Sequence, residues 1–132
     1  MRPFAIWVLV VAAVFAALAI AAAVWPEDEP DQVFVVVDSS FPMRAVWDEV
    51  DDELARIEGR GSATFALATE KRVIHGFQSE LRLGSVEAFA PCDFDEVLAY
   101  PQIAEADELI LVTTDGSCDT AAFADWDIRT LE

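Results

Sequence analysis

Residues Phe4 to Trp25 are 22 consecutive positions without a charged or strongly polar side chain, and this run limits what the rest of the chain can be. A helix rising roughly 1.5 Å per residue needs about 20 residues to cross a hydrocarbon core, so the run is long enough. Trp7 and Trp25 stand near its two ends, where amphipathic rings favour the headgroup level. Arg2 and the terminal amine precede it, and Glu27, Asp28, Glu29 and Asp31 follow it. The positive-inside bias then predicts a single-pass protein with a cytoplasmic N-terminus and a periplasmic or extracellular C-terminal domain. Ala19, Ala21 and Ala23 offer small-residue cleavage patterns, but the apolar run continues past them to Trp25, which favours an uncleaved anchor over a signal peptide. No cysteine stands at the end of the run to carry a bacterial lipoprotein anchor.

The expected organisation is an anchor at 1–25, an acidic linker at 26–32 and one domain at 33–132, a length suited to a single core. Past the anchor, 7 basic side chains face 25 acidic ones, a formal charge of −18. Such a surface repels nucleic acid and anionic lipid, since phosphate binding needs Lys and Arg. It suits solubility, basic partners or divalent cations. Pro26 and Pro30 within the acidic stretch keep the linker from packing.

Val33 to Val37 is a continuous run of β-branched and aromatic residues, the mark of a strand buried on both faces. It ends at Asp38-Ser39-Ser40, and Pro42 then suits the first turn of a helix. Met43, Val46, Trp47, Val50, Leu54 and Ile57 give that helix one apolar face, and Gly59 and Gly61 stop it. Ala63–Thr69 and Arg72–Phe77 read as a hairpin about Glu70-Lys71. Residues 78–91 carry weak signals. Asp93–Ile103 reads as a short helix with Phe94, Val97, Leu98 and Ile103 inward, and Leu109–Val112 as a fourth buried strand. An edge strand is expected around Asp127–Leu131. Strand, helix, hairpin, helix and strand in that order predict an α/β sheet with a right-handed crossover. The aromatic set Trp47, Phe65, Phe77, Phe89, Phe94 and Phe123 is expected in the core and at its edge.

Ligands of open α/β sheets bind beyond the carboxyl ends of the strands. Asp38 and Ser40 follow the first strand and Asp115 follows the fourth, so neighbouring strands would bring the carboxylates to one crevice. Oxygen ligands of this kind suit Mg²⁺ or Mn²⁺. His75 lies within the third-strand pattern, with no serine or cysteine nearby. No Gly-x-Ser-x-Gly, Walker loop or His-Glu-x-x-His occurs.

Val-Phe-Val-Val-Val-Asp-Ser-Ser at 33–40, the amphipathic helix after it, the hairpin at 65–77 and Leu-Ile-Leu-Val-Thr-Thr-Asp-Gly at 109–116 together resemble a von Willebrand factor A domain. The resemblance implies a Rossmann-like three-layer sheet, here truncated, that binds protein partners. It also implies a metal-ion-dependent adhesion site, for which Asp38, Ser40 and Asp115 match the family's pattern. Pro42 stands where that pattern has a second serine, and Cys92 where it has a threonine, so the metal site is degenerate. In the fold so implied, Cys92 and Cys118 lie on loops at one end of the sheet, and an oxidising compartment favours a disulfide over free thiols. A full domain of the family continues with further strands, whereas 16 residues follow Gly116. The fourth strand then stands at or near an edge unless the tail through Trp126 and Ile128, or another chain, covers it.

The expected function is a membrane-anchored, non-enzymatic interaction module, a component of an envelope assembly. Its partner would engage the sheet edge, the Asp38/Asp115 crevice or the Ala-rich membrane helix. The alternative is a Mg²⁺-dependent hydrolase using Asp38 and Asp115. Ser40 argues against it, because aspartate-nucleophile phosphohydrolases carry a second aspartate there, and so does Lys71, which lies in the hairpin turn away from any phosphate.

Overall fold

The computed structural model describes residues 2–24 and 29–132. Helix α1, Arg2–Val24, is long and apolar enough to cross a membrane, and its side chains from Pro3 onward are almost all exposed. Trp7 is among them. Trp25, Glu27 and Asp28, which the sequence sets at the far end of the span, lie outside the described residues, as does Met1 with its amine.

Five strands form one mixed sheet. They are β1 (Asp31–Val37), β2 (Ala63–Thr69), β3 (Val73–Gln78), β4 (Glu108–Thr114) and β5 (Asp127–Leu131), in the order β3-β2-β1-β4-β5. Only β3 runs antiparallel, paired with β2. Strand β1 takes in Asp31 and Gln32, so the linker is shorter than the prolines suggest. It is central because its residues can be buried on both faces. Val33, Val35 and Val37 join one core with Phe65, Leu67, Ile110 and Val112, while Phe34 and Val36 point into the other.

The first face is covered by residues 41–58. The expected single helix is two: a 3₁₀ stretch, Phe41–Glu49, and α2, Val50–Glu58. The apolar spacing explains the division. Met43 and Val46 are three apart, which eclipses side chains in a three-residue turn, whereas Val50, Leu54 and Ile57 follow the 3.6 period. Glu53 is buried and accepts from Arg56, and Arg129 of β5 reaches it at 3.6 Å.

The second face has no long helix. The helix expected over 93–103 is replaced by a 3₁₀ turn, Val97–Ala99, and α3, Gln102–Glu105. Pro101 is the cause: it disfavours helical geometry at the residue before it, and Tyr100 is extended (φ −66°, ψ 130°). Phe94 and Val97 are buried as expected, but Leu98 faces out. An aromatic cluster fills the layer instead. Phe123 meets Phe94 and Trp126 edge-on at 5.2 and 4.9 Å, and Phe34 meets Tyr100 and Trp126 at 6.2 Å each. Edge-to-face pairs of this kind contribute about 0.5–1.5 kcal/mol beyond the area they bury.

The tail settles the question of the fourth strand. Residues 127–131 pair with β4 in parallel, from Ile110 opposite Asp127 to Thr114 opposite Leu131, so β4 is interior and β3 and β5 form the edges. Residues 79–96 contain no helix or strand, yet Leu81, Leu83 and Ala88 are buried in the first core. An isolated bridge from Ser40 to Ala90 binds this segment to the loop after β1.

Candidate functional site

The carboxyl ends of β1, β2 and β4 open on one side of the sheet, where the loops after them are joined through Asp38. Its backbone N–H donates to the Val112 carbonyl at 2.8 Å, which keeps the residue in register with β4, and its side chain is fully buried. Oδ1 accepts from the Ser40 N–H at 2.8 Å. Oδ2 accepts from the hydroxyls of Thr113, at 2.8 Å, and Ser117. The Ser117 hydroxyl also lies 3.0 Å from that of Ser40. Gly116, at φ +75°, turns the chain after β4 so that Ser117 folds back over the strand end.

Of the residues singled out in the sequence, Asp38 and Ser40 are hydrogen-bonded to each other, and Asp115 shares no hydrogen bond with either. It is exposed, and Thr113 and Ser117 on either side of it reach Asp38 instead. Pro42 is exposed at the start of the 3₁₀ stretch. Cys92 is bonded to Cys118, with Cα atoms 5.3 Å apart, so the expected pairing is present. Ser117 is the residue before Cys118, and its hydroxyl lies 3.7 Å from each sulfur. The disulfide and the Asp38 cluster thus form one structure.

A second buried carboxylate, Glu70, stands beside the first. The sequence reads it as part of a hairpin turn, yet it accepts both the N–H and the hydroxyl of Ser39, at 2.8 and 2.7 Å. Each loop carboxylate therefore binds a serine of the segment after β1. The Tyr100 hydroxyl donates to the Thr69 carbonyl at 2.9 Å, fixing the end of β2 from the other face. Burial raises the Tyr100 pKa above its ordinary value, and the Glu96 and Glu70 carboxylates raise it further.

The oxygens of Asp38 are taken by three protein donors, and among the described residues no three His, Cys, Asp or Glu side chains gather into a metal-binding set. His75, the only histidine, is engaged on β3, where Nδ1 donates to the Gly76 carbonyl at 2.8 Å and Nε2 accepts from the Arg82 N–H at 3.3 Å. The arrangement holds four loops in fixed positions.

Those loops also present two aromatic rings to solvent. Phe89 is 73 % exposed and Phe41 61 %, which corrects the expectation of Phe89 in the core. The N–H groups of Phe89 and Ala90 both donate to the Ser39 carbonyl at 3.1 Å, and the Phe41 N–H donates to the Ala90 carbonyl at 2.9 Å. Ala88 and Ala90 are buried on either side of Phe89. No family model, characterised protein or solved structure matches the chain.

Proposed function

We propose that the chain is a membrane-anchored interaction module, a component of an envelope assembly, whose α/β domain presents the loop end of its sheet to a protein partner. The observation that carries this reading is the exposure of Phe41 and Phe89 on loops whose backbone is held by Ser39 and Ala90. Rigidly held, solvent-facing aromatic rings at the carboxyl end of an α/β sheet are the usual makings of a recognition surface. Helix α1, long and apolar enough to cross a membrane, supports the anchor, and the charge bias about it supports a domain on the side away from the cytoplasm. The disulfide agrees with that side, since such bonds persist in oxidising compartments.

A short von Willebrand factor A-like domain with a degenerate metal site is the family reading we favour. Its support is that the pieces carrying the resemblance fall on β1 and its loop, on the β2–β3 hairpin, and on β4 and its turn. The test is native mass spectrometry of the full chain extracted from its own membrane in mild detergent. A stoichiometric complex with a second protein is the expected result. A chain that emerges alone, or only with copies of itself, overturns the reading.

A further inference from the structure

We propose, resting on the interaction-module reading, that the partner contributes an extended acidic segment that lies across Phe89 and places its carboxylates in the two clefts flanking that ring. The domain has seven cationic side chains, and Arg56, Arg60, Arg82 and Arg129 are ion-paired. Among the described residues Arg44, Lys71 and Arg72 form no salt bridge, and all three are exposed. They line the clefts beside Phe89. One, of about 260 Å³, has Lys71 and Arg72 on its wall with Ser85, the Ser39 hydroxyl there being donated to Glu70. The other, of about 380 Å³, has Arg44 and Trp47. The Arg44 guanidinium also lies 6.0 Å from the centroid of the exposed Phe41 ring.

Two carboxylates share this surface, Glu87 in both clefts and Asp48 in the second. Three cations to two acids reverses the balance of a domain that carries 7 to 25. The consequence is selectivity. An acidic segment is repelled by the rest of the domain and meets unpaired cations only here, whereas a basic one would be attracted all over the surface. Arginine in such a setting binds carboxylate through two parallel N–H donors, and Phe89 offers the apolar contact between the two charged positions. A membrane surface is disfavoured as the occupant. The linker enters β1 at Asp31 and the clefts lie past its other end, a rise of roughly 20 Å along an extended strand.

The experiment uses the full chain in its native membrane with a photo-crosslinking phenylalanine in place of Phe89. The same group is placed in parallel at Gln78 on β3, Thr130 on β5 and Phe15 in α1. The expected result is an adduct from position 89 to a partner segment in which Asp and Glu outnumber Lys and Arg. Its yield should fall about tenfold in Lys71→Glu/Arg72→Glu, and likewise in Arg44→Glu, with unchanged thermal melts. An adduct to a basic or neutral segment, to lipid or to a second copy of the chain overturns the proposal, as does a yield that ignores charge reversal. Adducts only from positions 15, 78 or 130 overturn it and leave the interaction module standing. No adduct from any position overturns both.

Discussion

Ser117 donates its hydroxyl to Asp38 across 79 positions of sequence, and in doing so ends up beside the hydroxyl of Ser40. Its oxygen thereby links the Asp38 carboxylate to the Ser40 hydroxyl. Ser117→Ala removes one donor from a buried carboxylate, and its expected cost is about 1.5–3 kcal/mol. Asp38→Ala is expected to cost about 3 kcal/mol, because it removes the acceptor of the Ser40 N–H and of the Thr113 and Ser117 hydroxyls together. Both are read by urea unfolding. Millimolar Mg²⁺ is expected to leave the wild-type melting temperature unchanged. A rise that Asp38→Ala abolishes would show that a cation displaces Ser117.

The Cys92–Cys118 bridge closes a sequence separation of 26 residues that includes Phe94, Val97 and Leu111 of the second core. Its removal in Cys92→Ser/Cys118→Ser is expected to cost about 3 kcal/mol, or roughly 15 °C in melting temperature for a domain of this size. Calorimetry of the oxidised chain, the reduced chain and the double variant tests this. Equal melts for the three would make the bridge dispensable.

Tyr100 is the only tyrosine, so its ionisation can be followed alone by ultraviolet titration. Burial comes first among the causes of its raised pKa, then Glu96, then Glu70. The folded protein therefore holds the phenolic proton more tightly than the unfolded chain. Its stabilising contribution is complete below the ordinary pKa near 10 and is lost as pH climbs through the folded value. Glu96→Gln should bring the titration midpoint down. A midpoint that does not move would leave the shift to burial and Glu70.

Trp126 is buried at the entry to β5 and packs edge-on against Phe34 and Phe123. Trp126→Ala is expected to cost about 3–5 kcal/mol and to loosen β5 from β4. Hydrogen exchange at the β4–β5 ladder should quicken more than at β1–β2. Uniform quickening would mean that the tail is no weaker than the centre.

The strands were readable because their signal is local. Val33–Val37 and Leu109–Val112 are unbroken apolar runs that can be buried only between two layers, and Asp127–Leu131 is short and follows a turn. The 93–103 stretch misled because its apolar spacing is helical, while Pro101 overrides spacing at Tyr100. Ser117 and Glu70 carried no periodic signal, since their partners lie 79 and 31 positions away. The one clue to Ser117 is that it follows a turn glycine and precedes a cysteine. Phe89 reads as a core aromatic by type, and only the pairing of its backbone with Ser39 turns the ring outward.

Strand β1 follows the linker directly and is paired along its length with parallel neighbours on both sides. A pull between the membrane and a partner held at the loop end would therefore act along the central strand. It would load the β1–β2 and β1–β4 ladders together, in shear, instead of opening them one bond at a time. An edge strand in that position would peel. The order of strands thus gives the domain its greatest resistance to tension along β1, from Asp31 to the loop end.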